Sequence, residues 1–127
     1  MTLTRTLLKS LYRDESYLET FTSLDLQNKQ FCTVDSATFT NLIKLQSILL
    51  NNNLLSTLPS TVFSGLSELQ TLDLSNNSLI TLDQSILSGL TSLKTVKLGN
   101  NPITVTNSSF VQSLCGANNL KCTVIMT

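Results

Sequence analysis

The chain has 127 residues, one domain's worth, with eight basic and eight acidic side chains and no histidine. Zero formal charge leaves no field favouring nucleic acid or anionic lipid, and without histidine the commonest general base and metal ligand is missing. Every long uncharged stretch is broken by Ser, Thr or Asn, so none reads as a membrane span.

The first element is the segment MTLTRTLLKSLYRDE. It lacks the continuous apolar core and small-residue cleavage site of a signal peptide. Leu3, Leu7 and Leu11 recur at i, i+4, and Leu8 and Tyr12 form a second such pair, which predicts a short helix with one apolar side. Residues 1–17 are therefore expected to be an N-terminal cap over the open end of a repeat stack, or a degenerate half-repeat.

From Leu18 onward a 24-residue period governs the chain: Leu18, Leu42, Leu66, Leu90 and Leu114 are each 24 apart. The fullest copies are LQSILLNNNLLSTLPSTVFSGL, Leu45–Leu66, and LQTLDLSNNSLITLDQSILSGL, Leu69–Leu90. A weaker copy precedes them, with Phe21, Leu24, Leu26, Phe31 and Val34, and another follows, with Leu93, Val96, Leu98 and Ile103. Residues 18–114 hold about four repeats, and residues 115–127 are expected to form a C-terminal cap.

Alternating leucines such as Leu72 and Leu74 predict a short strand in each copy. The chain must then turn, and Asn53, Asn77 and Asn101 occupy that point. A buried amide there can bond backbone groups that the turn leaves unpaired, in its own coil and in a neighbour, which predicts an asparagine ladder. Lys29 takes the place of Asn in the first copy and can donate but not accept. The return halves, such as STLPSTVFSGL, are spaced for a short helix or 3₁₀ turn, with Gly65 and Gly89 where a tight turn favours a residue without a side chain.

The last segment holds Cys115, Cys122 and a β-branched run from Thr123 to Ile125. The two cysteines either close a small loop as a disulfide or remain a reduced pair, and the third, Cys32, has no histidine partner for catalysis. Asn76-Asn77-Ser78 and Asn107-Ser108-Ser109 match the N-glycosylation pattern, which makes Asn76 and Asn107 acceptors if the protein is secretory.

These copies resemble the typical 24-residue class of the leucine-rich repeat family, common in extracellular receptors and matrix proteins. The resemblance implies an α/β fold: a right-handed leucine-rich-repeat solenoid with short parallel strands on the concave face and helical or irregular convex segments. It also implies a non-enzymatic module that binds a protein ligand through that face, and it favours a secreted or cell-surface setting. The usual C-terminal cap of such extracellular members keeps only Asn101-Pro102 here, and the cysteines follow with different spacing.

If strand positions alternate, the outward columns are Ser23, Ser47, Thr71, Thr95, then Asp25, Leu49, Asp73, Lys97, with Asn28, Asn52, Asn76 and Asn100 at the strand ends. The expected binding face comprises Asp25, Leu49, Asp73, Lys97, Ser47, Thr71, Thr95, Asn52 and Asn76, with Asp73 and Lys97 paired across adjacent coils. No cofactor, metal or nucleic acid is expected. A scaffold role or a fragment of a longer receptor, monomeric or weakly self-associating through its repeat ends, is the alternative. Asp25, Asp73 and Asp83 are the available acids, but none lies in a catalytic motif, and Asp25 and Asp73 stand two coils apart, too far for retaining hydrolysis.

Overall fold

The computed structural model describes residues 1–12 and 18–127. The chain winds as a solenoid around five short parallel strands, one per coil: β2 (Ser23–Asp25), β4 (Ser47–Leu49), β5 (Thr71–Asp73), β6 (Thr95–Lys97) and β7 (Thr123–Ile125), in that order across one sheet. Only the central residue of each of the first four strands is buried: Leu24, Ile48, Leu72 and Val96. Register keeps the 24-residue period through β6, with Asp25 beside Leu49, Leu49 beside Asp73 and Asp73 beside Lys97.

The closing leucines Leu18, Leu42, Leu66, Leu90 and Leu114 are each no more than 1% exposed and belong to a single core cluster. Phe39 and Phe63 stack with ring centroids 6.0 Å apart, continuing the core along the convex side. In the first three coils the return halves are successive i→i−3 turns rather than helices: Val62 N–H donates to Pro59 C=O, Ser64 N–H to Thr61 C=O and Leu66 N–H to Phe63 C=O. Gly65 and Gly89 close these turns at φ of +84° and +82°, and Asn41 does the same job at +66° in the first coil. After α1 (Arg5–Tyr12) at the start, the last coil carries three short helices, α2 (Pro102–Thr106), α3 (Ser108–Gln112) and α4 (Leu114–Ala117).

The N-terminal segment differs from the expected single helix. Leu3 lies in a strand, β1 (Thr2–Leu3), which pairs in parallel with β3 (Thr33–Val34) on the other side of the coil. Of the two i, i+4 sets, the buried one is Leu8 with half-buried Tyr12, while Leu11 is 40% exposed. Thr38 stands where later coils have Val62 and Ile86, and the segment explains why: its buried hydroxyl bonds the Leu3 carbonyl at 3.1 Å and that of Asp35 at 2.7 Å. Arg5 fastens the helix to the same return half through the Thr38 and Thr40 carbonyls.

Tyr12 also serves the sheet edge. Its hydroxyl accepts the Asp25 N–H at 3.2 Å and donates to the Asp25 carbonyl at 3.4 Å, while its ring meets Phe21 edge-on at 5.0 Å. Burial raises the phenol above its ordinary value of 10.0, the bond to Asp25 opposes that rise, and the Asp25 charge adds to it. Folding thus holds the phenol neutral. That contribution is intact below the unfolded value near 10.0 and is lost as pH climbs past it. Tyr12→Phe should abolish this alkaline component and cost at most about 1 kcal/mol at neutral pH. Urea unfolding of both proteins on either side of the phenol's titration checks it, and an unchanged alkaline slope would refute the cap.

At the other end, Cys115 and Cys122 are joined as a disulfide, Cα to Cα 5.5 Å, and the chain leaves it as β7. Beyond β7 the Thr127 backbone lies against Gly99, where an added Cβ would sit 2.7 Å from the Thr127 carbonyl carbon and oxygen. Gly99→Ala should therefore lift this tail from the sheet. Amide exchange would speed up at Leu98, whose N–H donates to the Ile125 carbonyl, while the β4–β5 amides keep their protection.

Candidate ligand-binding face

The asparagines expected to form a ladder do so. Asn53, Asn77 and Asn101 are buried at 5%, 8% and 2% exposure. The Asn77 amide nitrogen reaches the Leu50 carbonyl of the preceding coil at 3.0 Å and the Leu74 carbonyl of its own coil at 3.1 Å, while its oxygen accepts the Leu55 N–H at 3.1 Å. Asn53 and Asn101 repeat the pattern one coil to either side. Lys29 is tolerated in the first coil because Asn53 already serves the Leu26 carbonyl and accepts the Lys29 and Phe31 amides, and the lysine side chain is exposed.

This ladder fixes where the strands end and so which side chains face out. Ser47, Leu49, Thr71, Asp73 and Thr95 are half-buried along the sheet, with Asp25 and Lys97 exposed at either side. Asp25 Oδ1 accepts the backbone and side-chain N–H of Gln27 at 3.2 and 2.8 Å. Asp73 Oδ1 accepts the Ser75 N–H at 3.0 Å and its hydroxyl at 2.6 Å. Each carboxylate is thus held by the residue two positions on, leaving its other oxygen for a partner. The expected Asp73–Lys97 ion pair does not form among the described residues, because Asp73 turns along its own strand to Ser75 rather than across to β6.

Asn52 and Asn76 lie just past the strand ends at φ of 59° and 55°, as do Asn28 and Asn100 at 57° and 56°. Asparagine tolerates this left-handed geometry better than most residues, so backbone need accounts for its recurrence in that column. Both side chains are exposed, and the Asn76 amide oxygen accepts from Asn100 Nδ2 at 2.8 Å. Asn107 is exposed at the junction of α2 and α3, with no side-chain cap bond. Asp83 sits outside the sheet in a return half, its carboxyl held below the usual range by the Ser85 hydroxyl and then by the Ser85 N–H.

Three residues of the face, Thr123, Ile125 and Tyr12, escape a reading by period. Strand β7 pairs with β6 in register Thr95–Thr123, Val96–Val124 and Lys97–Ile125, a spacing of 28 rather than 24. The β-branched run itself was the available signal, but the helical last coil shifts it out of phase. The third is Tyr12, which the helix brings to the Asp25 end of the face. With Leu11, Asp25, Leu26 and Lys29 it lines a depression of about 230 Å³. Among the described residues no group of three His, Cys, Asp or Glu side chains could hold a metal, and no helix is long and apolar enough to cross a membrane.

Comparison with known proteins agrees with this geometry. No curated protein sequence matches the chain significantly. Among solved structures, the Toll–Spätzle complex of Drosophila aligns over 98% of this chain at 25% identity with a TM-score of 0.75. The TLR13–ssRNA13 complex aligns over 68% at 30% identity with a TM-score of 0.63. The chain spans only 17% and 12% of those two proteins. The leucine rich repeat model matches residues 19–79 and 67–114, nearly the whole stack of coils just described, and the chain belongs to the leucine-rich repeat family.

Proposed function

We propose that this chain is a non-enzymatic protein-binding module that works through the concave face of its short solenoid. The observation that carries this reading is the pre-set order of the face. Half-exposed Leu49 stands between two carboxylates that their own strands already hold in place, with Tyr12 at one side. A partner docking there orders few side chains on this chain, and Tyr is a residue type enriched at binding hot spots. The similar Drosophila structure is a complex of Toll with Spätzle, which supports a protein ligand. The TLR13 structure is a complex with single-stranded RNA, but this face carries two carboxylates against one lysine in its central column, which disfavours phosphate.

The test uses a photo-crosslinker placed at position 49 and, separately, at convex position 64, in cells of the source. A partner captured only from position 49, and lost when Asp25→Lys and Asp73→Lys are added, is expected. Equal capture from both positions, or capture of RNA in place of protein, would refute the proposal. The alternative, a scaffold or a segment of a longer repeat receptor that associates through its ends, rests on the small share of the similar structures that the chain spans.

We further propose the division into a cap at 1–17, repeats over 18–114 and a cap at 115–127, and a place on the secretory route or at the cell surface. The Cys115–Cys122 bond supports an oxidising compartment. Asn107 is the better glycan acceptor, since the Asn76 amide is engaged by Asn100. Intact mass of protein from source cells should fall on glycosidase treatment, with a single thiol, Cys32, open to labelling. Unmodified asparagines with all three thiols labelled would overturn this placement.

A further inference from the structure

The two ends of the parallel ladder are finished differently. At the first, the outward backbone groups of Asp25 are met by the Tyr12 hydroxyl. At the other, β7 turns one edge to β6: Thr123 N–H donates to the Lys94 carbonyl at 2.9 Å, and the Ile125 carbonyl accepts the Leu98 N–H at 2.8 Å. Backbone groups alternate in direction along a strand, so those of Val124 and Met126 point away from β6. Among the described residues no strand lies beyond them. The Val124 side chain continues the core column of Val96 and, with Met126, packs on the core while only half-buried. Open backbone beside partly exposed core is a template for one more strand.

Charge selects what that strand carries. Residues 84–127 contain Lys94, Lys97 and Lys121 and no Asp or Glu, a net of 3 − 0 = +3. Residues 1–83 contain five basic and eight acidic side chains, a net of 5 − 8 = −3, so the neutral chain is polarised along its length. The open end is the basic end. Lys97 is the register partner of Ile125, Lys94 accepts the first backbone bond of β7, and exposed Lys121 stands two residues ahead of the strand.

We propose that the open edge of β7 binds an extended acidic segment of a partner protein by strand addition, the Val124 and Met126 backbone supplying the ladder and the lysines selecting its charge. A second copy docking edge to edge would bring its own three lysines to the contact, and a copy stacked head to tail would have to displace Tyr12 from β2. This surface is separate from the concave face and does not rest on that reading.

The experiment is fluorescence anisotropy of the 127-residue chain with two labelled peptides, one alternating Glu and Val, the other Lys and Val. The acidic peptide should bind at least about tenfold more tightly, with the preference shrinking at high salt. Lys94→Glu with Lys121→Glu, which leaves Lys97 and the fold in place, should reverse the preference. Val124→Pro, which removes the central donor of the edge, should weaken the acidic peptide by about tenfold while β4–β5 amide protection is retained. Equal affinity for the two peptides, or an unchanged preference in the double lysine variant, would overturn the proposal. So would a concentration-dependent dimer abolished by Val124→Pro with no peptide binding, which would assign the edge to a second copy.

Discussion

Replacing Asn77 by Ala is expected to destabilise the solenoid by about 1–3 kcal/mol. The amide bonds four backbone groups: the Leu50, Leu74 and Ser75 carbonyls and the Leu55 N–H. Alanine leaves the Leu55 N–H without its partner in a site where Asn77 is only 8% exposed. Each buried group left unsatisfied costs roughly 1–3 kcal/mol, reduced where the coil relaxes or water enters. The Leu50 and Leu74 carbonyls keep a second donor, Asn53 Nδ2 and Asn101 Nδ2, so the loss centres on the Leu55 amide, which neither neighbour reaches. Thermal or urea unfolding reads the loss, and a change below about 1 kcal/mol would show that these bonds contribute little. Asn77→Asp sharpens the test. A carboxylate can still accept the Leu55 amide but faces two carbonyls it cannot donate to. Its folded pKa should therefore rise above the unfolded value, so that this variant recovers stability as pH falls through that raised value.

Reduction of the Cys115–Cys122 disulfide is the second large effect, and it should be local. Closing a loop of sequence separation 7 removes unfolded-state freedom worth about 2.5 kcal/mol in the chain-entropy account. In a globular core that loss would spread across the molecule. In a solenoid each coil touches only its neighbours, so it should concentrate at the end that the bond secures. Cys122→Ser is expected to release β7, seen as faster amide exchange at Leu98 and Thr123, while Leu26 and Leu50, bonded within β2, β4 and β5, keep their protection. Uniform loss of protection from β2 to β7 would mean that the stack unfolds as one unit. The variant also bears on strand addition, since a released β7 offers no edge to an incoming peptide.

The fold was legible in the residues because a period of 24 is a geometric statement. Each coil has one buried strand residue, one asparagine at the turn and one closing leucine, and parallel stacking forces the same requirement on every copy. The outward columns from β2 to β6 follow from strand alternation alone, and the structure places Asp25, Leu49, Asp73 and Lys97 side by side as that alternation demands. Which of those residues engage a ligand is a different kind of question, because solvent-facing positions are not constrained by the stack and carry no period to read.

What lies at the ends was not legible, and the reason is physical. End segments meet the stack on one side only, so their contacts are made with whatever residues the first and last coils present. Leu3 looks like part of a helical stripe until β3 offers it a partner strand; only then is it a sheet residue. The Asp73–Lys97 pair failed for a related reason, since Ser75, two residues further on and just past the strand end, competes at 2.6 Å for the carboxylate. Strand β7 lies out of phase because its register is set by pairing with β6 and by the disulfide that precedes it, not by chain distance. The sequence by itself determined the coils, the buried columns and the asparagine ladder, because each depends on contacts that recur at a constant offset along the chain. Only the tertiary structure decided the seal that Tyr12 makes on one edge of the sheet and the opening that β7 leaves on the other, because these depend on contacts that occur once.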